Sequence, residues 1–268
     1  MNRPTIDVAL AAGGWPRPWP AVAELARVLP PDRWTLVGGL MTQLHTINHG
    51  FGIVRPTNDV DIVLHIETSR GVPEATAAAL SSIGYALRDS IDPRDNTAHR
   101  FVRDKDVVDL VTSARGSEAD KDVVDVLIAD HPAPTITEQL LGRDMVRIEG
   151  GTQALRRTIN ARLEIEPGKI TTVSVPRPFG AVILKAAAYR TDSRDRARHL
   201  ADAAALLACI EDPFVEREGF AGSDRSRLAT LQRALVDDHI AWLGLPEGKR
   251  NDARAALRLL ARPHTPKG

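Results

Sequence analysis

Alternation and helical spacing divide this chain near residue 175. Before it, short apolar runs are broken by glycine and proline; after it, long apolar stretches recur at helical spacing. WPAVAELARVLP reads as a short helix stopped by Pro30 and Pro31. TLV is a brief strand running into Gly38-Gly39, and LMTQLHTINHG has helical spacing and ends at Gly50, a natural C-terminal glycine. DVDIVLH, Asp59 to His65, reads as a strand, and GVPEATAAALSSIG as an alanine-rich helix closed by Gly84. YALRD and HRFVR look like paired strands, followed by the echo KDVVDLVT and KDVVDVLIA and then MVRIEG. PFGAVILKAAAYR and SRDRARHLADAAALLACI read as two helices separated by the capping cluster TDS. SDRSRLATLQRALVDDHIAWL and KRNDARAALRLLAR add further helical stretches. The order predicts an α+β protein: a mixed sheet with helices, then a mostly helical C-terminal half. Residues 1–18 read as a flexible arm, 19–175 as the core domain, and 176–268 as a helical domain.

The strand DVDIVLH poses a chemical question. Side chains alternate along a strand, so Asp59, Asp61, Val63 and His65 share one face. Carboxylates are depleted from strands, and two on one face repel unless something positive lies between them. The pattern describes either a strand with solvated acids at its start or a pair holding a divalent cation. Magnesium fits the second reading, because it takes one or two carboxylates and completes its shell with water and phosphate oxygens.

Other residues extend that second reading. Gly38-Gly39, at a strand-to-helix junction, lets backbone N–H groups approach a phosphate. A further carboxylate on a later apolar strand is Asp125 or Asp109, of which Asp125 is preferred. Lys185 lies within an apolar helix, either snorkelling to solvent or aiming its charge at a polyphosphate. Asp202, on the next helix, comes near Lys185 if the two pack antiparallel, as a functional or a structural ion pair.

Composition narrows the field of functions. The chain has 268 residues, 43% hydrophobic, 26% charged and 4% aromatic, with Lys+Arg and Asp+Glu balanced at 35 each. No global field draws it to a polyanion, so nucleic-acid binding requires a local patch. There is neither an apolar run of transmembrane length nor a compact signal-peptide core, and a cytoplasmic protein without membrane association is expected. The one cysteine, Cys209, lies in the apolar run ALLACI and reads as a buried thiol. His45 and His49, four residues apart, lack the glutamate of a zinc-protease helix and read as helix-surface or packing residues.

Taken together, Gly38-Gly39, Arg55-x-Thr57-x-Asp59-x-Asp61, HRF at 99–101, the later VDVL strand, GGTQAL and the Lys185…Arg198-His199-Leu200-x-Asp202 region resemble the AbiEii/MenT-type nucleotidyltransferase toxin family. That family belongs to the DNA polymerase β-like nucleotidyltransferase superfamily. The resemblance covers about residues 33–210. It implies the toxin of a toxin–antitoxin pair, with a cognate antitoxin partner, transferring a nucleotide from an NTP to the 3′ acceptor end of tRNA. A small-molecule nucleotidyltransferase and a non-catalytic nucleotide-binding protein are the alternatives. By the motif match Gly38 and Gly39 cradle the triphosphate, and Arg55 and Thr57 reach toward it. Asp59 and Asp61 coordinate Mg2+ (or Mn2+), with Asp125 as third carboxylate; Lys185 and Asp202 match the family's additional lysine and aspartate. Arg156 and Arg157, with Arg190, Arg194, Arg196 and Arg198, form a candidate basic wall for RNA.

Overall fold

A computed structural model of the protein describes residues 3–9, 14–67, 70–88, 95–104, 121–130 and 139–263. The chain begins with β1 (Thr5–Val8), α1 (Trp19–Val28), β2 (Trp34–Leu36), α2 (Gly38–Asn48), β3 (Asp59–Leu64) and α3 (Val72–Ser82). Short strands follow: β4 (Ala86–Leu87), β5 (Thr97–Ala98), β6 (Arg100–Asp104), β7 (Lys121–Ala129), β8 (Gln139–Leu140), β9 (Arg143–Met145) and β10 (Arg147–Ile148). Then come α4 (Gly151–Leu155) and the hairpin β11 (Thr158–Glu166) and β12 (Lys169–Pro176). From there the described elements are helical: α5 (Pro178–Thr191), α6 (Arg196–Leu207), α7 (Pro213–Glu218), α8 (Asp224–Ala234), a 3-10 turn at Ile240–Gly244, and α9 (Glu247–Ala261). The mixed α+β architecture is the one the patterning predicts.

The largest sheet runs β2-β3-β7-β6-β4, with β10 also paired to β7. Its centre is a parallel pair, β3 and β7, flanked by antiparallel neighbours. One face carries Val60, Ile62, Leu64, Val124, Val126 and Phe101, all buried in the core. Arg103 shares that face with Phe101 and pairs with Glu24 of α1 at 2.8 Å, so α1 lies on the core side. The opposite face carries the chemistry. Asp61 stands opposite Asp125, and Asp125 opposite Arg100. The Arg88 N–H donates to the Arg100 carbonyl at 2.8 Å, continuing the β4–β6 ladder. Directly paired residues point to the same side. One row of side chains, Asp61, Asp125, Arg100 and Arg88, therefore crosses four adjacent strands: two acids, then two arginines.

Several elements differ from expectation. The arm expected over residues 1–18 contains β1, which pairs in parallel with β11 through the register Thr5↔Asn160 to Val8↔Leu163. The β11–β12 hairpin was legible in the alternation of Ile159, Ala161, Leu163 and Ile165, with Gly168 at the turn, but no strand is assigned there from patterning. The stretch expected as one helix from Ser223 to Leu243 divides into α8 and a 3-10 turn, with Leu235–His239 between them. The strand expected at KDVVDLVT, and Asp109 with it, lies outside the described residues.

Candidate active site

The strand order sets the floor of a cavity of about 360 Å³. β3 contributes Asp59 and Asp61, β7 contributes Asp125 and Leu127, and β6 contributes Arg100. The junction of β2 and α2 brings Gly38 and Gly39 to one side, and Lys185 of α5 and His199 of α6 form the helical wall. Thus Gly38, Gly39, Arg55, Thr57, Asp59, Asp61, Asp125, Lys185 and Arg198, all expected from the sequence, line one cavity.

The glycine pair is required by space. Gly38 has φ +66°, and a methyl group there would run into the Asp61 carboxylate. A methyl on Gly39 would come within 2.7 Å of Thr57 Oγ1. The absent side chains let the start of α2 approach the acids, with its first N–H groups unused by the helix. Thr57 Oγ1 donates to Asp59 Oδ1 at 3.2 Å, so this hydroxyl orients an acid as well as facing the cavity.

The three acids are held differently. Arg100 donates to Asp125 through Nε at 2.9 Å and Nη2 at 2.8 Å, a bidentate pair that occupies both carboxylate oxygens. This bond pushes the Arg100 guanidinium pKa up. Asp61 is pushed up to about 7, first by burial and then by the charges of Asp125 and Asp59, with Lys185 and Arg198 opposing. Asp61 thus holds its proton more tightly than an ordinary aspartate.

The helical wall has the opposite character. Lys185 is buried and its Nζ lies 2.7 Å from Asp202 Oδ2, so it does not snorkel to solvent. The pairs Lys185–Asp202 and Asp192–His199 show that α5 and α6 run antiparallel. Arg55 also grips Asp202, Nε to Oδ1 and Nη2 to Oδ2, each at 3.1 Å. Burial pushes Asp202 up, but Lys185 and Arg55 overcome it and hold the carboxyl below its ordinary value. Asp202 therefore fixes two of the cations that line the cavity, Lys185 and Arg55, rather than lining it itself. The cap of α6 is Asp195, which accepts from Arg198 N at 3.3 Å; the expected TDS cluster lies one turn earlier, its Asp192 bonding His199 Nε2 at 2.9 Å.

Among the described residues no group of three His, Cys, Asp or Glu side chains is arranged to hold a metal. Asp125, expected as the third ligand, is engaged by Arg100 instead. Asp59 and Asp61 remain a two-carboxylate oxygen set on one strand face. That set suits magnesium, which dehydrates reluctantly and takes few protein ligands.

The expected arginine wall does not form as one surface. Arg157 is mostly buried, donates to Asp224 Oδ2 at 2.7 Å and to the Gly219 carbonyl at 2.6 Å, and stacks 5.0 Å above the Phe179 ring. It ties β11 to the helical half, which removes it as an RNA contact. Its neighbour Arg156 is exposed. Arg157 sits beside Gly180, in the first turn of α5, whereas Arg194, Arg196 and Arg198 follow its last turn. At 1.5 Å per residue the two groups are about 15–20 Å apart. Arg196 is spread over Tyr189, 5.0 Å from the ring centroid, which covers that aromatic face.

Other expectations resolve simply. His45 is buried with Nε2 bonded to the Pro176 carbonyl at 2.7 Å, and burial pushes it down to about 4. His49 Nδ1 donates to the His45 carbonyl, so the pair packs α2 rather than binding zinc. Cys209 is buried, and burial pushes its thiol up. GGTQAL opens α4, and the N–H groups of its N-cap Gly150 and of Thr152 donate to Asp130 at 2.8 and 3.0 Å. Among the described residues no helix is long and apolar enough to cross a membrane. Pattern reading missed Arg100 as a site residue. Its signal was the alternation in HRFVRD, which sets Arg100 and Val102 on the face opposite buried Phe101.

No curated protein matches the chain. A sequence-family model described as nucleotidyl transferase AbiEii toxin, type IV toxin–antitoxin system, matches residues 21–263, nearly the full length and the whole of the cavity. The chain belongs to the AbiEii family of nucleotidyltransferase toxins.

Proposed function

We propose that this nucleotidyltransferase uses an NTP as donor, with Mg2+ (or Mn2+), and transfers the NMP to the 3′ acceptor end of tRNA. The observation that carries the reading is the grouping of Asp59 and Asp61, Gly38-Gly39 and Lys185 around one cavity. In the reaction an acceptor hydroxyl oxygen bonds to the α-phosphorus, the bond to pyrophosphate breaks and pyrophosphate departs, and the hydroxyl proton passes to solvent water. A divalent cation held by Asp59 and Asp61 would supply neutralising charge for the phosphates. The N–H groups at Gly38 and Gly39 face the triphosphate, using the positive end of α2. Lys185 and Arg55, held in place by Asp202, add positive charge at positions fixed before substrate arrives. Catalysis here is positioning and charge neutralisation, with no covalent intermediate on the protein. The expected protein partner is a cognate antitoxin, and the expected compartment is the cytoplasm.

The test is incubation of purified protein with each α-labelled NTP, Mg2+ and total tRNA. Label on tRNA that disappears in Asp61→Ala supports the reading. Label found on a small hydroxyl compound and never on RNA contradicts it and favours the small-molecule alternative.

A further inference from the structure

The sheet departs from a three-acid metal centre at Asp125 and Arg100. Asp125 stands opposite Asp61 across β3 and β7, and opposite Arg100 across β7 and β6. The three side chains therefore share one row on one side of the sheet. The position of Arg100 is set by the backbone. Phe101 pairs with Val124 in the core, and the Val126 N–H donates to the His99 carbonyl at 2.7 Å, so the ladder brackets the Arg100–Asp125 pair on both sides. At that register the guanidinium reaches both Asp125 oxygens, at 2.9 and 2.8 Å, in the fork geometry that matches a carboxylate. The Asp125 side chain is 8% exposed and that of Arg100 40%, so the carboxylate is the covered partner and the guanidinium the outer one.

Charge along the row closes differently from a two-metal centre, which sets two cations about 3.5–4 Å apart over its carboxylates. One of the three acids, Asp125, already has a cation bonded to both oxygens. Asp59 and Asp61, when ionised, then balance one divalent ion. A second ion at Asp125 would have to break both guanidinium bonds and sit beside the charge it displaced, because arginine cannot shed its proton. Among the described residues no three His, Cys, Asp or Glu groups are arranged to hold a metal, in keeping with this count. We infer that the site takes a single divalent cation, on Asp59 and Asp61, and that Arg100 is the fixed charge standing where a second ion would sit. The inference rests on the nucleotidyl-transfer reading above. A guanidinium is in place before substrate arrives and does not depend on metal concentration, and three of its five N–H hydrogens are not bonded to Asp125. Arg100 borders the same cavity as the acids, Gly38-Gly39 and Lys185, so its charge acts on the phosphates bound there.

The test counts bound Mn2+ by electron paramagnetic resonance on the full chain saturated with a non-hydrolysable NTP analogue. Wild type should hold one ion per complex, and Asp125→Asn should still hold one, with affinity within about threefold. Arg100→Ala should gain a second ion by freeing Asp125, and adding Asp125→Asn to it should return the count to one. Arg100→Lys, which keeps a cation on that strand, should stay at one. Melting curves confirm folding, and Asp125→Asn with wild type decides the matter even if Arg100→Ala does not fold. None or two ions in wild type overturns the inference, as does loss of the ion in folded Asp125→Asn or a count of one in folded Arg100→Ala. One ion in wild type and two in Arg100→Ala, in a protein that transfers no label, supports the inference and counts against the reaction instead. Label transferred by a wild-type enzyme holding two ions overturns the inference and leaves the reaction standing.

Discussion

Asp61 on the sheet and Asp202 on α6 are the same residue type, at one site, within reach of the same lysine. Their carboxyls are nevertheless driven in opposite directions. Asp61 is pushed up to about 7 by burial and by Asp125 and Asp59. Asp202, only 2% exposed, is held low because Lys185 and Arg55 both bond to it. Burial penalises both charges; the partners decide the outcome. Asp202 is compensated and acts as an anchor for cations. Asp61 is compensated by no bonded cation of comparable closeness, and the divalent cation proposed above is the partner that would balance it.

The difference can be broken from either side. The largest expected effect is on catalysis: Asp59→Ala or Asp61→Ala should lower NMP transfer by about 10³-fold or more, without loss of fold. Radiolabel transfer with circular dichroism as the folding control checks this, and wild-type rates in either variant would sink the two-acid assignment. Next comes stability. Asp202→Ala leaves Lys185 buried without its anion and should cost about 3–5 kcal/mol in urea unfolding. A loss below about 1 kcal/mol would mean that Asp202 is not the anchor described.

Smaller still is a stabilisation in the opposite direction. The folded pKa of Asp61 lies above its ordinary value of 3.8, so the native state holds the proton more tightly than the unfolded chain. Its contribution favours folding at low pH and is lost as pH rises toward and through about 7. Asp61→Asn should therefore raise the Tm of metal-free protein at pH 8 by about 2–4 °C, and the gain should shrink toward pH 5. A lower Tm for Asp61→Asn at pH 8 would show that the acid is already balanced.

Much of this site was legible in the chain because its parts are local. The alternation in DVDIVLH places Asp59 and Asp61 together, and Gly38-Gly39 marks a junction where the structure leaves no room for side chains. Lys185 could be singled out because an ionic residue amid AVILKAAA must find a partner, and it does. The pairing of Arg100 with Asp125 was harder, since it depends on register between strands 25 residues apart in sequence. The same holds for Arg157, which reads as a surface cation beside Arg156 but is claimed by Asp224, 67 residues away. β1 was missed because four residues pair with a hairpin more than 150 positions later, which no local periodicity announces.

The most direct test of the undercompensated acid is calorimetric titration of Mn2+ or Mg2+ into metal-free protein at pH 6.5, in two buffers of different ionisation heat. Wild type should bind the cation and release a proton, Asp202→Asn should still do so, and Asp61→Asn should lose both the binding and the proton. Cation binding of equal strength in wild type and Asp61→Asn, with no proton released by either, would contradict the account.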